Sequence, residues 1–261
     1  MTHIITLHSF KGGSGKSLIA SALAYYCANI KRKKTIIFDC DFEAPSLNSF
    51  FTHKESPQKT ILDLFEGKEV LPDIITPTSL TQNLDIVYAP DPTKGKKLLL
   101  MNENWHGRAL QQMIFALNKI TKEFNYEYVI FDNQSGLSRN SINFLLLSTT
   151  FLLILRPSRY AASGSLSLVK DVFSKFEYFY KETRNDHVLW NQIPQGSRVT
   201  ENRKLIKVYN QQFLKEGISS IGEIPYIDDL ASSLFLETKY EIGEISHFFE
   251  NQILEILRKL S

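Results

Sequence analysis

The chain is poor in the features that mark several common functions. Its 261 residues hold two cysteines, Cys27 and Cys40, and these form no Cys-x-x-Cys pair. That speaks against a zinc or iron–sulfur centre and against a disulfide framework, and it predicts a reduced, cytoplasmic setting. Methionine occurs only three times, too seldom to build an additional Met-rich helical subdomain. No Pro/Ser/Gly-rich linker, low-complexity block or internal repeat divides the sequence, so one domain spanning 1–261 is expected. The start, Met1-Thr2-His3-Ile4, lacks the charged region and long apolar core of a signal peptide. The longest apolar run, from Phe144 to Leu155, is broken by Ser148, Thr149 and Thr150 and is too short to span a membrane. Helix followed by buried strand is the better reading. A net charge of only +2 does not by itself mark a nucleic-acid binder.

What the chain has is a regular alternation. Apolar, β-branched runs at 4–7, 35–39, 84–88, 128–132, 151–155, 187–190 and 220–224 are separated by helical patterns. One such pattern, from Trp105 to Phe124, puts Leu110, Met113, Ile114 and Leu117 at helical spacing. Near-continuous apolar strands with helices between them predict an α/β fold, a mostly parallel central sheet covered by helices on both faces. In such sheets ligands bind at the carboxyl ends of the strands, so the polar residues that end each strand carry the functional information.

The first strand runs into Lys11-Gly12-Gly13-Ser14-Gly15-Lys16-Ser17, and a helical stretch from Leu18 to Ala28 follows. Strand, glycine-rich turn and helix form the context of a phosphate-binding loop. Glycines let backbone N–H groups point inward at phosphate oxygens, and the helix N-terminus adds its positive end. The loop from Gly12 through Gly13, Ser14, Gly15, Lys16 and Ser17 to Leu18 is therefore the candidate nucleotide cradle. Lys16 is placed to reach the β- and γ-phosphates, and the Ser17 hydroxyl to bind Mg²⁺.

The extra lysine, Lys11, narrows this. Lys-Gly-Gly-x-Gly-Lys-Ser resembles the deviant Walker A motif of the MinD/ParA ATPases. In that family the first lysine crosses a face-to-face ATP dimer and touches the partner's nucleotide, so the resemblance implies an ATP-dependent homodimer with Lys11 and Lys16 both acting on nucleotide. Further motifs follow in the family's order and cover nearly the whole chain. Asp39-Cys40-Asp41 ends the second strand, where the family has Asp-x-Asp. The resemblance makes Asp41 the acid that orients the attacking water, and Asp39 a supporting ligand of the loop and the Mg²⁺ shell. Pro45-Ser46-Leu47 resembles the family's Pro-Ser-Leu. The strand 128–131 ends in Asp132 with the form of a Walker B motif, an acid that holds Mg²⁺, usually through water. Gly136 stands where relatives have a switch glycine. Asn133-Gln134-Ser135 replaces the prolines often found before it, which leaves the stiffness of this second switch, and a role for Gln134 in positioning water, open. Asn191 matches the family's adenine-contacting asparagine, and Ile224-Pro225 its adenine loop, with the backbone around Pro225 framing the base.

This set implies Mg-ATP binding, dimerisation and slow hydrolysis stimulated by a partner. It does not name the cargo, and three readings compete. A ParA-like segregation ATPase would bind DNA without sequence preference and answer to a centromere-binding activator. It would be of the short type, since the chain starts directly at the first strand without a helix-turn-helix. Supporting it, Arg198, Arg203, Lys204, Lys207 and Lys215 cluster against the single acid Glu201, although a solvated helix face would look the same. A MinD-like positioning ATPase would attach to membrane through its C-terminal helix. The stripe of Phe248, Phe249, Ile253, Leu254, Ile256, Leu257 and Leu260 is apolar enough, but Glu250 and Glu255 leave only Arg258 and Lys259 basic, and a helix packed on the sheet is the alternative. A carrier ATPase would hand over a protein or a metal cluster, and the Cys-x-x-Cys for the latter is missing. The run Lys31-Arg32-Lys33-Lys34 reads as cations at a helix C-terminus rather than a localisation signal.

Overall fold

A computed structural model describes residues 2–51, 57, 59–98, 100–173, 184–236 and 241–260. Its centre is an eight-stranded sheet of β1 (His3–His8), β2 (Thr35–Cys40), β3 (Thr76–Pro77), β4 (Leu84–Val87), β5 (Tyr128–Asn133), β6 (Thr150–Leu155), β7 (His187–Ile193) and β8 (Ser219–Pro225). The order is β3-β4-β2-β5-β1-β6-β7-β8, and every neighbouring pair is parallel except β3–β4. Every apolar run of the sequence is a strand. The one the sequence concealed is β3, a two-residue antiparallel edge that carries no hydrophobic pattern of its own.

The described helices are α1 (Lys16–Asn29), α2 (Ile61–Phe65), α3 (Leu71–Ile74), α4 (Pro92–Leu98), α5 (Glu103–Lys122), α6 (Arg139–Leu147), α7 (Arg159–Leu168), α8 (Val199–Lys215), α9 (Asp228–Leu236), α10 (Ile242–Ile245) and α11 (Glu250–Leu260). Alternate strand residues feed opposite faces of the sheet, as a period of two requires. Ile5, Leu7, Ile37, Ile130, Leu152 and Ile154 meet α1 and α11 on one face, while Ile36, Phe38, Val129 and Phe131 meet α5 on the other. Beyond β1 that second face is covered by α7 and α8, over Phe151, Leu153 and Leu155.

Helix α5 buries Trp105, Ala109, Met113, Ala116, Leu117 and Ile120, so its core stripe lies slightly off the one expected, and Ile114 is 43% exposed. The small alanines, invisible to a hydrophobicity count, let this helix approach the sheet. Helix α11 buries Ile253, Ile256, Leu257 and Leu260 against α1 and β8. The apolar stripe at the C-terminus is thus mainly a core face, with Phe248 left 42% exposed. Among the described residues no helix is long and apolar enough to cross a membrane. The lysines after α1 do not serve their own helix. Lys31 Nζ donates to Leu257 O of α11 at 3.0 Å and Lys34 Nζ to Phe124 O just past α5 at 3.0 Å, while Lys33 pairs with Glu127. Lys31 and Lys34 thus satisfy carbonyls at the ends of other helices, which a local reading could not show.

Candidate functional site

The phosphate loop joins β1 to α1 across the carboxyl end of the sheet. Gly13 and Gly15 have φ of +76° and +82°, a region in which a side chain is strained. Gly15 is doubly required, because a Cβ there would collide with Asn191 Nδ2. Helix α1 opens at Lys16 with no side-chain cap, so its first N–H groups stay available at the loop.

Lys16 and Asp132 meet in a buried ion pair. Lys16 Nζ lies 2.7 Å from Asp132 Oδ1, and the two side chains are 5% and 0% exposed. Burial works against the ammonium, but Asp132, with help from Asp41 and Asp39, more than offsets it and holds the Lys16 pKa above its ordinary value. Asp39 and Asp132 stand directly opposite each other on β2 and β5. Burial, followed by repulsion from Asp132, pushes the Asp39 carboxyl up from the usual carboxylate range. Asp39 also has a definite structural task. Its Oδ1 accepts Asp41 N at 3.2 Å, and its Oδ2 accepts Ser46 N and Leu47 N, both at 3.1 Å. It thereby ties down the segment that carries Pro45-Ser46-Leu47. Asp41 is half-buried at the rim of the cleft, with Oδ1 accepting Ala44 N at 3.1 Å. Its pKa is raised, burial outweighing the pull of Lys16.

The oxygen donors at this point suit a small hard cation. Asp132 Oδ2 is buried without a partner, and the Ser17 hydroxyl lies 3.5 Å from Lys16 Nζ. Hydroxyl and carboxylate oxygens, with phosphate oxygens and water to complete the shell, are what Mg²⁺ takes. No group of three or more His, Cys, Asp or Glu side chains gathers into a metal site among the described residues.

From this corner a cleft of about 470 Å³ runs along the loop to β8 and α9. Its polar end holds the loop, Asp41 and Ser135, and its far end is apolar, with Pro225, Ile227, Leu230 and Leu234 as walls. A charged cradle continuous with an apolar slot matches the two ends of a nucleotide, and the volume lies in the range of small-molecule sites. Pro225, at the end of β8, lines this apolar end. Asn191 lines the cleft too, but its Nδ2 donates to Ser14 O at 2.7 Å. Beside it Gln192, at φ +57°, donates to Gly13 O at 3.2 Å. In this state both amides brace the loop backbone.

The segment read from sequence as a second switch is likewise engaged. Gln134 Nε2 donates to Glu43, and Gln134 Oε1 accepts from Ser138 Oγ at 3.2 Å, so one amide bridges the segment after β2 to the N-cap of α6. Gly136, at φ +75°, donates its N–H to Ser9 O at 2.9 Å. Lys11 stays outside the cradle, its Nζ 3.9 Å from the centroid of the Tyr160 ring on α7. Of the residues named from sequence, Gly12 to Leu18, Asp41, Asn191 and Pro225 line the cleft, and Asp39 and Asp132 lie beneath it. The residues missed are those that act on these: Gln192, Glu43, Tyr160 and His8. Their partners are far off in sequence, so no spacing could signal them.

The architecture agrees with comparisons to known proteins. Residues 2–186 match the family described as "AAA domain". The chromosome partitioning protein ParA of Myxococcus xanthus is 25% identical over 169 residues, 65% of this chain and 57% of that protein. The septum site-determining protein MinD of Buchnera aphidicola is 25% identical over 157 residues, 60% of this chain and 54% of that one. The chain belongs to the MinD/ParA family of P-loop ATPases. The matched stretch spans little more than half the length of either relative. In fold the resemblance extends over nearly the whole chain. The structure of an ATP complex of a McdA variant from Cyanothece superimposes with a TM-score of 0.79, covering 99% of this chain and 96% of that one at 16% identity. The eight-stranded sheet is thus a MinD/ParA-type P-loop fold.

Proposed function

We propose that residues 1–261 act as one cytoplasmic ATPase domain that binds Mg-ATP in this cleft, closes into a face-to-face homodimer and hydrolyses ATP slowly until an activator protein accelerates it. Lys16 binds the β- and γ-phosphates. Ser17 and Asp132 hold Mg²⁺, with Asp39 behind them as the anchor of the first switch segment. Asp41 orients the water, and Lys11 leaves Tyr160 to reach the nucleotide of the partner subunit. When bound, Mg²⁺ supplies charge neutralisation between the phosphates. The observation that carries the reading is the buried Lys16–Asp132 pair under a braced glycine loop.

The work of this switch is proposed to be partition of DNA. Support comes from α8, where Arg203, Lys204 and Lys207 are all exposed and Glu201 is the only acid. Dimerisation would double this modest patch. Against membrane attachment stands the burial of the apolar face of α11.

Fluorescence anisotropy of a labelled random duplex, at two salt concentrations and with ATP or ADP, tests the proposal. ATP-dependent binding is expected to weaken steeply with salt, by a slope of about −0.9 per phosphate neutralised. Replacing Arg203, Lys204 and Lys207 together by Glu should weaken it for all sequences while leaving DNA-free hydrolysis unchanged. Sedimentation with anionic vesicles instead of DNA would favour a MinD-like role, and binding to neither would favour a carrier.

A further inference from the structure

We infer that Gln134 is a positioning residue for hydrolysis: it grips Glu43 and so holds the arc of chain that aims the Asp41 carboxylate. This role rests on the reading of Asp41 as the acid that orients the attacking water.

The arc runs over residues 41–47, and both its ends are fixed. At the far end Asp39 Oδ2 accepts Ser46 N and Leu47 N. At the near end Phe42 is buried, its ring centroid 6.1 Å from that of Phe65 and 6.2 Å from that of Phe144. Helix α4 comes so close there that a Cβ on Gly95 would collide with Phe42 O. Between the two ends Glu43 and Ala44 are exposed. Yet these two residues aim Asp41. Ala44 N donates to Asp41 Oδ1 at 3.1 Å. Burial raises the Asp41 pKa, while Lys16 and the backbone N–H groups of Ala44 and Glu43 pull the other way. Whatever holds Glu43 therefore sets the direction of the carboxylate.

What holds it is a rigid seat. Gln134 directly follows β5 and is 8% exposed. Its Oε1 accepts from Ser138 Oγ at 3.2 Å, and Ser138 is itself fixed as the N-cap of α6, accepting Ser141 N at 3.0 Å. With its carbonyl end engaged by a hydroxyl donor, the amide turns its NH2 end to Glu43. The backbone on either side is tied as well. Gln134 N donates to Asn133 Oδ1 at 2.9 Å, Ser135 Oγ lies 2.9 Å from Ser9 Oγ, and Gly136 N donates to Ser9 O at 2.9 Å. A buried amide on a fixed base thus reaches an exposed carboxylate, and an N–H donated to a carboxylate is among the stronger side-chain hydrogen bonds. Ser135 lines the nucleotide cleft and Gln134 does not, so the action of Gln134 passes through Glu43 rather than through the water. Misplacing a reacting group by about 1 Å can cost about 100-fold in rate.

Single-turnover hydrolysis of Mg-ATP by the full chain, set beside its affinity for a fluorescent ATP analogue, tests this with Gln134→Met, which keeps the length of the side chain, and Glu43→Ala. Each is expected to keep the affinity within about twofold and to slow hydrolysis at least about tenfold. Because the two residues act in series, the double variant should be no slower than the slower single one. Glu43→Gln keeps an oxygen for the amide and should lose less rate than Glu43→Ala. Hydrogen exchange of the nucleotide-free chain reads the arc directly. Peptides spanning 41–47 should exchange faster in Gln134→Met and in Glu43→Ala, and those spanning α1 should not. Losses that add in the double variant would mean that Gln134 acts without Glu43, and would overturn the proposal. Unchanged or faster hydrolysis, an affinity that falls along with the rate, or unchanged exchange over 41–47 would do the same. Loss of the ATP dimer in either single variant, read by light scattering, would move the role to the subunit contact and also overturn it. A wild-type chain that hydrolyses no ATP would instead remove the reading of Asp41, and the exchange comparison, which needs no nucleotide, would still decide whether Gln134 holds the arc.

Discussion

Lys16 shows how much one side chain does here. Among the described residues it is the only buried lysine or arginine, and it neutralises Asp132 while Asp39 and Asp41 add their fields. Removing it leaves phosphate without its lysine and Asp132 without its counter-charge. Lys16→Ala is therefore expected to weaken binding of a fluorescent ATP analogue at least about 100-fold, and to lower unfolding stability by about 3 kcal/mol, the usual cost of breaking a buried pair. Titration and urea denaturation read the two effects separately. Near wild-type affinity in the variant would remove the phosphate-loop assignment.

At the scale of elements, the site exists because the carboxyl ends of β1, β2 and β5 lie side by side. His8 ends β1 in the layer below the loop. It is fully buried, its Nδ1 meets Asn133 Nδ2 at 3.4 Å, and its Nε2 has no partner. Burial first, and Lys16 second, depress its pKa from 6.5 to about 3. The sign follows directly. Between these two values the unfolded chain takes up a proton that the folded chain refuses, so stability is lost as pH falls from 6.5 towards 3, by up to about 1.4 kcal/mol per pH unit. In His8→Leu this contribution disappears. Denaturation of both proteins at pH 7.5 and pH 5 should show the variant gaining on wild type at the lower pH by about 2 kcal/mol, the proton's share over the span below 6.5. An unchanged difference between the two pH values would mean that His8 is charged in the folded state.

For the whole molecule the event proposed above is association, and Lys11 is the residue that tests it. In this conformation it rests on the Tyr160 ring, apart from the Lys16–Asp132 pair. A cation on an exposed aromatic face gains only about 0.5–1 kcal/mol, little enough for a partner's phosphates to outbid it. Lys11→Ala is expected to keep ATP binding by the monomer and to lose the ATP-dependent dimer. Light scattering coupled to size exclusion, with a hydrolysis-deficient Asp41→Ala background to hold ATP in place, checks this. A dimer of undiminished stability would show that Lys11 does not cross between subunits.

The strand runs, the phosphate loop and the acids that end β2 and β5 could be read from sequence because each is a local pattern. A buried parallel strand needs a continuous apolar run, and a phosphate cradle needs its glycines within a few residues of its lysine. The sheet order and parallel pairing put Asp39 opposite Asp132 and so joined two separate motifs into one charged centre. Folding alone decided what each side chain does there. Asn191 and Gln192 brace a loop that lies near the other end of the chain, Gln134 grips Glu43, and Lys11 finds Tyr160. The apolar stripe of α11 gave the same pattern for a membrane face as for a core face, and only its packing on α1 and β8 distinguished them. The physical reason is common to all of these. Hydrophobic period and backbone conformation are set by neighbours in sequence, whereas hydrogen bonds and ion pairs between side chains are set by neighbours in space.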